Sequence, residues 1–183
     1  ENKILGIIGY GSIGKEIAER AKKFNMKIYA TRRLQKNRLS NKNVDLLLPL
    51  CEIDYLLNHS DYIVIACPLT YLTRNLINKN KFNIMNSNSI LINVSRGEIV
   101  DEKELINVLI NKKIKGAALD VFNLEPLSKD SPLFNLNNVL LSPHIAGNFN
   151  NYQSNVIKAF EENLNRYINH KSLRNRVCKK RQY

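Results

Sequence analysis

Near the start of the chain an apolar run of strand length, Lys3-Ile4-Leu5-Gly6-Ile7-Ile8, meets the turn Gly9-Tyr10-Gly11-Ser12-Ile13-Gly14. Apolar residues then return at helical spacing, at Ile13, Ile17, Ala18, Ala21 and Phe24. Strand, Gly-x-Gly-x-x-Gly and amphipathic helix, in that order, form the phosphate-binding element of a dinucleotide fold. Gly9 permits the tight turn, Gly11 lets the backbone approach a pyrophosphate, and Gly14 lets the helix pack close to the strand. Ser12, Ile13 and Gly14 open the helix, whose free N–H groups and positive dipole end suit phosphates. Glycine turns between strands and helices are common in other settings too, so the rest of the chain must decide.

The remaining sequence alternates strand and helix patterns. Residues 27–31 read as a second strand, and 34–43 as a polar, basic loop or poorly defined connection. Residues 51–58 carry Ile53, Leu56 and Leu57 on a short helical face. The continuous apolar run 62–67, ended by Pro68, reads as a fully buried strand. A short helix at 78–85 and a strand at 89–94 follow. Asp101-Glu102 open a helix with Leu105, Ile106 and Leu109 on its buried side, acids in the first turn suiting the dipole. Two more strands fall at 115–121 and 138–142. The final helix, 151–168, repeats apolar residues at Val156, Ile157, Phe160, Leu164, Tyr167 and Ile168. Strands separated by helices predict an α/β, Rossmann-type doubly wound parallel sheet. No repeat, low-complexity segment or interdomain linker interrupts it.

Composition narrows the function classes. With 183 residues, 44% of them hydrophobic and 24% charged, the chain suits one globular domain with a sizeable core. No apolar run approaches the roughly 20 residues of a membrane span, and no charged-then-apolar leader precedes the first strand. The expectation is a cytoplasmic protein with no membrane partner. Cys51, Cys67 and Cys178 are odd in number, far apart and without metal-ligand spacing. They read as free thiols, and no metal is expected. The formal net charge of +12 raises a nucleic-acid reading. Its Lys and Arg residues are spread along the whole chain, and aromatics do not interleave with them as a base-stacking surface requires. No nucleic-acid partner is expected. The tail Lys179-Lys180-Arg181 reads as a solvated end, a binding patch being the alternative, and His59 and His170 sit in ordinary polar settings.

The end of the second strand bears on which dinucleotide fits. An Asp or Glu about 20 residues beyond the glycines would accept hydrogen bonds from the adenosine ribose. Here the chain reads Thr31-Arg32-Arg33, with no acid between Glu19 and Asp45. A guanidinium can grip a 2′-phosphate through two parallel hydrogen bonds, where a carboxylate would repel it. Arg32 and Arg33 therefore point to NADP, with NAD possible; the plainer alternative is two arginines in water.

Further stretches carry a resemblance. They are Gly6 to Gly14, then Cys67-Pro68-Leu69-Thr70 with Thr73-Arg74, then Ile92-Asn93-Val94-Ser95-Arg96-Gly97-Glu98-Ile99-Val100-Asp101. Ala118-Leu119-Asp120-Val121-Phe122 follows with Glu125-Pro126-Leu127, then Ser131-Pro132-Leu133-Phe134 and Leu141-Ser142-Pro143-His144-Ile145-Ala146-Gly147. In order and spacing they resemble the nucleotide-binding domain of the D-isomer-specific 2-hydroxyacid dehydrogenases, which include glyoxylate/hydroxypyruvate reductases and phosphoglycerate dehydrogenase. The resemblance implies catalytic roles for Arg96, Glu125 and His144, with His144 as proton donor. It implies a place for Asp120 near the nicotinamide carboxamide. Cys67, Pro68, Thr73, Val94 and Ser95 would line the cofactor, together with Arg96, His144 and Gly147. It also implies a homodimer. Two departures stand out: Arg32 replaces the family's usual acid, and the family's N-terminal substrate-domain segment has no counterpart here. The expectation is an N-terminally truncated chain, with 1–169 the NAD(P)-binding domain and 170–183 the segment that returns to an absent substrate domain. Such a fragment alone would be inactive.

The chemistry stands beside the resemblance. Reducing a 2-oxo acid delivers a hydride to a carbonyl carbon and a proton to its oxygen. Arg96 would give the substrate carboxylate a bidentate partner, and His144 would give the proton. Glu125 would hold the imidazole ring and favour its charged form. Taken singly, each has a plainer reading: a packed loop histidine, a solvated turn acid, a strand-end arginine. Together with the glycine turn they predict an oxidoreductase acting between a nicotinamide cofactor and a 2-oxo acid or D-2-hydroxy acid. The alternative is a non-catalytic NAD(P)-sensing or scaffolding protein of the same fold, which would have no need of the Arg96, Glu125 and His144 set.

Overall fold

The computed structural model describes residues 2–180 and 182, in two compact units, Glu1–His144 and Ile145–Tyr183. In the first unit eight strands form one sheet: β1 (Ile4–Ile8), β2 (Lys27–Arg32), β3 (Leu39–Asn41), β4 (Val44–Pro49), β5 (Tyr62–Ile65), β6 (Ile90–Asn93), β7 (Gly116–Leu119) and β8 (Val139–Leu141). Their order is β3-β4-β2-β1-β5-β6-β7-β8. Every neighbouring pair is parallel except β3–β4. The chain runs outward from β1 in one direction, then crosses back to β5 and runs outward in the other. That reversal beside β1 is the switch point at which a doubly wound sheet opens a crevice at its carboxyl ends.

Burial explains why these runs are strands. Ile63, Val64 and Ile65 of β5 are all buried, because helices cover both faces of a central parallel strand. On one face Ile8, Ile63, Ile65, Leu91 and Leu119 share a core with helices α2 (Ile53–His59), α3 (Lys79–Ile84) and α4 (Glu102–Ile110). On the other, Leu5, Ile7, Ile28, Ala30 and Val64 pack with Ala18 and Ala21 of α1 (Ser12–Lys22). Each large aliphatic side chain so buried contributes about 1.5–3 kcal/mol. The helix starts are specified locally. The Asn78 side chain accepts from the N–H groups of Asn80 and Lys81, and Asp101 accepts from that of Glu104, caps worth about 0.5–2 kcal/mol each.

Three features go beyond the sequence reading. First, the apolar spacing at Ile13 in α1 and Phe24 just past its end does not mark burial, since these are 58% and 73% exposed. The buried side is Gly14, Ala18 and Ala21, because the helix lies so close that a Cβ on Gly14 would stand 2.3 Å from the Gly9 carbonyl oxygen. Second, residues 34–43 are not all loop. Leu39 to Asn41 form β3 and turn back through Lys42-Asn43 into β4, a strand absent from the sequence reading. Val44, Leu47 and Leu48 of β4 are buried, and Asp45 secures the neighbouring strand by accepting from the Ile28 N–H (2.7 Å) and Lys22 (2.5 Å). Asp61 does the same for β1, accepting from the Ile4 N–H (2.8 Å) and Lys3 (2.7 Å). The sheet is therefore parallel with one antiparallel edge.

Third, the second unit consists of α5 (Tyr152–Ile168) and a tail folded back along it, and no residue of α5 is buried. The apolar stripe at Val156, Ile157, Phe160, Leu164, Tyr167 and Ile168 is exposed, since this unit supplies no second element to bury it. The tail is held by a 2.6 Å ion pair between Arg174 and Glu162 and by the Arg174 N–H donating to the Asn163 side chain (2.8 Å). Lys179 and Lys180 are exposed, while Arg181 lies outside the described residues. Among the described residues no helix is long and apolar enough to cross a membrane.

Candidate functional site

The glycine turn follows β1 at the switch point. Gly9 has φ +104°, and an added Cβ would stand 2.7 Å from the Cys67 backbone nitrogen, so only glycine lets the turn lie against the end of β5. The Gly9 and Tyr10 N–H groups both donate to the Thr31 carbonyl, at 3.2 and 2.9 Å. This locks the turn to the end of β2 and sets Arg32, the next residue, beside it. A Cβ on Gly11 would meet nothing within 4 Å, so room remains in front of the turn. The α1 N-terminus has no side-chain cap and no acid in its first turn, which leaves its positive end available to an anion. Ser12 and Ile13, at its mouth, are exposed. These features fit a dinucleotide pyrophosphate.

Arg32 is exposed and has no acidic partner among the described residues, whereas Arg33 is half-buried and engaged. Arg38, on the same basic loop, is already committed. It pairs with Glu52 at 2.5 Å and lies 4.7 Å over the Tyr55 ring. Among the described residues Arg32 is therefore an exposed cation beside the turn with no acidic partner.

The loops after β5 and β6 make the next wall. The Thr70 N–H donates to the Thr73 hydroxyl, which donates in turn to the Pro68 carbonyl, each at 2.7 Å. Arg74 pairs with Glu98 at 3.1 Å, and the Asn75 N–H donates to the Glu98 carbonyl at 2.8 Å, joining the two loops. The Ser95 hydroxyl donates to the Cys67 carbonyl. Val94 is half-buried against the α1-side core. Burial pushes the Cys67 thiol up to about 11, which disfavours its thiolate.

The structure brings together the strand ends that carry the other three candidates. Arg96 follows β6, Glu125 follows β7 and His144 follows β8. Glu125 Oε2 bonds His144 Nδ1 at 2.7 Å, and its Oε1 accepts the Phe122 N–H at 3.0 Å. Those two contacts, the histidine first, hold the Glu125 carboxyl below the usual carboxylate range; burial opposes them, and the charges of His144 and Arg96 assist. His144 itself adopts φ +54°, with its N–H donating to the Asp120 carbonyl at 2.8 Å. Asp120 is buried and accepts from the Ser142 hydroxyl at 2.5 Å. Beside the pair lies an apolar cavity of about 390 Å³ walled by Phe122, Leu127, Phe134, Leu141 and Pro143. Arg96 is exposed, its guanidinium donating to the Ser95 carbonyl at 2.6 Å. Gly147 lies in the second unit, where an added Cβ would meet nothing within 4 Å.

Sequence reasoning passed over several residues that shape these loops. A Cβ on Gly97 would stand 2.0 Å from the Phe122 carbonyl carbon, so glycine there lets the Arg96 loop lie against the loop after β7. Ser142 orients Asp120, and the buried Asn93 brackets the Arg96 loop through its amide. The available signal was a polar residue closing an otherwise apolar strand, Ile90-Leu91-Ile92-Asn93.

Residues 1–146 match the family model described as "D-isomer specific 2-hydroxyacid dehydrogenase, NAD binding domain". Glyoxylate reductase of Pyrococcus furiosus is 43% identical over 143 residues, which are 78% of this chain and 41% of that protein. Glyoxylate/hydroxypyruvate reductase B of Salmonella newport is 40% identical over 165 residues, 89% of this chain and 50% of that protein. The chain thus spans about half the length of these relatives or less. Among solved structures, a D-isomer specific 2-hydroxyacid dehydrogenase from Xanthobacter autotrophicus Py2, in complex with NADPH and MES, superposes with a TM-score of 0.91 at 30% identity. That likeness covers 99% of this chain and 73% of the other. An NADPH-dependent glyoxylate/hydroxypyruvate reductase from Sinorhizobium meliloti, in complex with NADP and sulfate, gives 0.90 at 26% identity, covering 99% and 57%. Fold and sequence agree: this chain belongs to the D-isomer specific 2-hydroxyacid dehydrogenase family, as an NAD-binding domain of the Rossmann type.

Proposed function

We propose that this chain is the cofactor-binding part of a reductase that converts small 2-oxo acids to D-2-hydroxy acids, with NADPH preferred to NADH. The observation that carries the reading is the Glu125–His144 bond at 2.7 Å. It engages Nδ1 and leaves Nε2 as the ring nitrogen that can serve a substrate. The bound nicotinamide supplies the hydride. The chain's own residues supply the rest. Arg96 grips the substrate carboxylate, which fixes the carbonyl in the plane required for attack. His144 passes its Nε2 proton to the carbonyl oxygen as negative charge develops there, while Glu125 keeps the ring oriented. The proton consumed returns to His144 from solvent. The turn at Gly9, Gly11 and Gly14 holds the pyrophosphate, and Arg32 the adenosine 2′-phosphate.

Support for the substrate class comes from the relatives named for glyoxylate and hydroxypyruvate reduction, and support for NADP from Arg32, which has no acidic partner among the described residues, and from the neighbours solved with NADPH or NADP. We assign residues 1–169 to cofactor binding and 170–183 to the path toward a substrate domain. The enzyme on this reading is a cytoplasmic homodimer. A panel of glyoxylate, hydroxypyruvate and related 2-oxo acids with the full-length protein tests the proposal, with NADPH and NADH run in parallel. Turnover of none of them would refute it.

A further inference from the structure

We infer that Asn93 is the positioning residue for Arg96, acting through the backbone of its loop; this rests on the proposed oxo-acid reduction. Asn93 closes β6 and is 1% exposed. Its side-chain Oδ1 accepts the Ser95 N–H at 3.1 Å, and its Nδ2 donates to the Arg96 carbonyl at 2.9 Å. The two bonds require an acceptor and a donor on one short planar group, and a primary amide alone among side chains of this length supplies both. Aspartate, of the same shape, would set an oxygen against the Arg96 carbonyl and bury a charge. Leucine would strand both backbone groups, at the usual cost of unpaired buried polar groups.

The same residue ties this loop to the other half of the site. The Asn93 carbonyl accepts the Asp120 N–H at 3.0 Å, and the Asp120 carbonyl accepts the His144 N–H at 2.8 Å. A continuous hydrogen-bonded path therefore runs from the Arg96 carbonyl through Asn93 and Asp120 to the backbone of His144. It crosses the ends of β6, β7 and β8. Arg96 and His144 must act on one small substrate from separate loops, and this path fixes the spacing between them. The guanidinium itself is exposed, and it donates to the adjacent Ser95 carbonyl. Its aim is set by the backbone beneath it.

A double-mutant cycle in the full-length enzyme tests this, using glyoxylate and NADPH. Asn93→Ala should lower kcat/KM about a hundredfold, the scale of a misplacement near 1 Å, while the NADPH dissociation constant changes less than about threefold. In an Arg96→Ala background the same substitution should change kcat/KM by less than about threefold, because both changes disable one group. A merely structural role would cost the same in both backgrounds, and that result would overturn the inference. So would an unchanged kcat/KM in Asn93→Ala. Asn93→Ser, which keeps one of the two bonds, serves as the second variant and should fall between parent and alanine. If circular dichroism shows both variants unfolded, Asn93 holds the fold rather than the site, and the inference fails. A parent without oxo-acid turnover would refute the proposed function itself, whereas a parent that turns over with additive losses refutes only the role of Asn93.

Discussion

Replacing Arg32 by Asp should reverse the cofactor preference, and the structure sets the scale. Arg32 is exposed, has no acidic partner among the described residues, and stands beside the turn that its neighbour Thr31 locks in place. No internal ion pair has to break before it can bind phosphate. A hydrogen bond to a charged group contributes about 1.5–3 kcal/mol, and each 1.4 kcal/mol is tenfold in affinity. Loss of the guanidinium should therefore weaken NADPH about 10- to 140-fold while barely changing NADH. The new carboxylate adds repulsion: unit charges about 5 Å apart in water interact by roughly 0.8 kcal/mol, and a 2′-phosphate carries more than one. A further loss of about fourfold or more follows. NADH should gain, because an aspartate there accepts from the ribose hydroxyls. Titration of each reduced cofactor into the parent and the variant by nicotinamide fluorescence reads all four constants, and low salt sharpens the contrast. Equal affinity of the parent for NADPH and NADH, or a variant that keeps the parent's ratio, would refute the reasoning.

Other outcomes follow from the same geometry. His144→Asn should reduce kcat of the full-length enzyme about 10²–10⁴-fold with little effect on cofactor affinity; asparagine tolerates the positive φ, so steady-state kinetics would report lost chemistry rather than a broken turn. Gly97→Ala should cost up to about 3 kcal/mol from overpacking, a thermal midpoint lower by roughly 6–12 °C, because its Cβ would overlap the Phe122 carbonyl. Acid should weaken the fold through Asp45 and Asp61, whose carboxyls lie below their ordinary value: burial, the largest influence, pushes each up, but the bonds from Ile28 and Lys22, and from Lys3 and Ile4, outweigh it. A depressed folded value stabilises above the unfolded value near pH 4 and is lost as pH falls through the folded one, so acid titration of Asp61→Asn should show a shallower loss than the parent. Iodoacetamide at pH 8 should label the exposed Cys51 and Cys178 well before the half-buried Cys67, whose thiol is pushed up to about 11 by burial; equal labelling in a mass spectrum would refute this order.

How far the sequence carried this reading depended on whether a signal was local. The glycine turn was legible because a strand, a positive φ and a close helix impose residue types at fixed spacing. Buried parallel strands such as Tyr62–Ile65 were legible as unbroken apolar runs. The β3–β4 hairpin was not, because Leu39-Ser40-Asn41 is exposed along its length and has no alternation to read. Apolar periodicity placed the faces of α1 and α5 but not their burial, which depends on what lies opposite. The residues gathered at the strand ends came through resemblance. Their bracing by Asn93, Gly97 and Ser142 did not, because a hydrogen bond from residue 142 to residue 120 leaves no trace in either neighbourhood.

The order of the sheet also sets a clock for synthesis. The strand at its centre, Ile4–Ile8, leaves the ribosome before either of its neighbours, and its partner on the far side, Tyr62–Ile65, follows almost 60 residues later. At about 5–20 residues per second, that flank waits roughly 3–12 s for its pair. Over that interval Leu5, Ile7 and Ile8, nearly inaccessible in the finished molecule, form an unpaired apolar edge of the kind chaperones recognise. Gly6 sits in the middle of that edge. A Cβ there would stand 2.4 Å from the Ser60 hydroxyl in the folded state, and in the waiting chain the same glycine lowers the β-propensity of an otherwise sticky run.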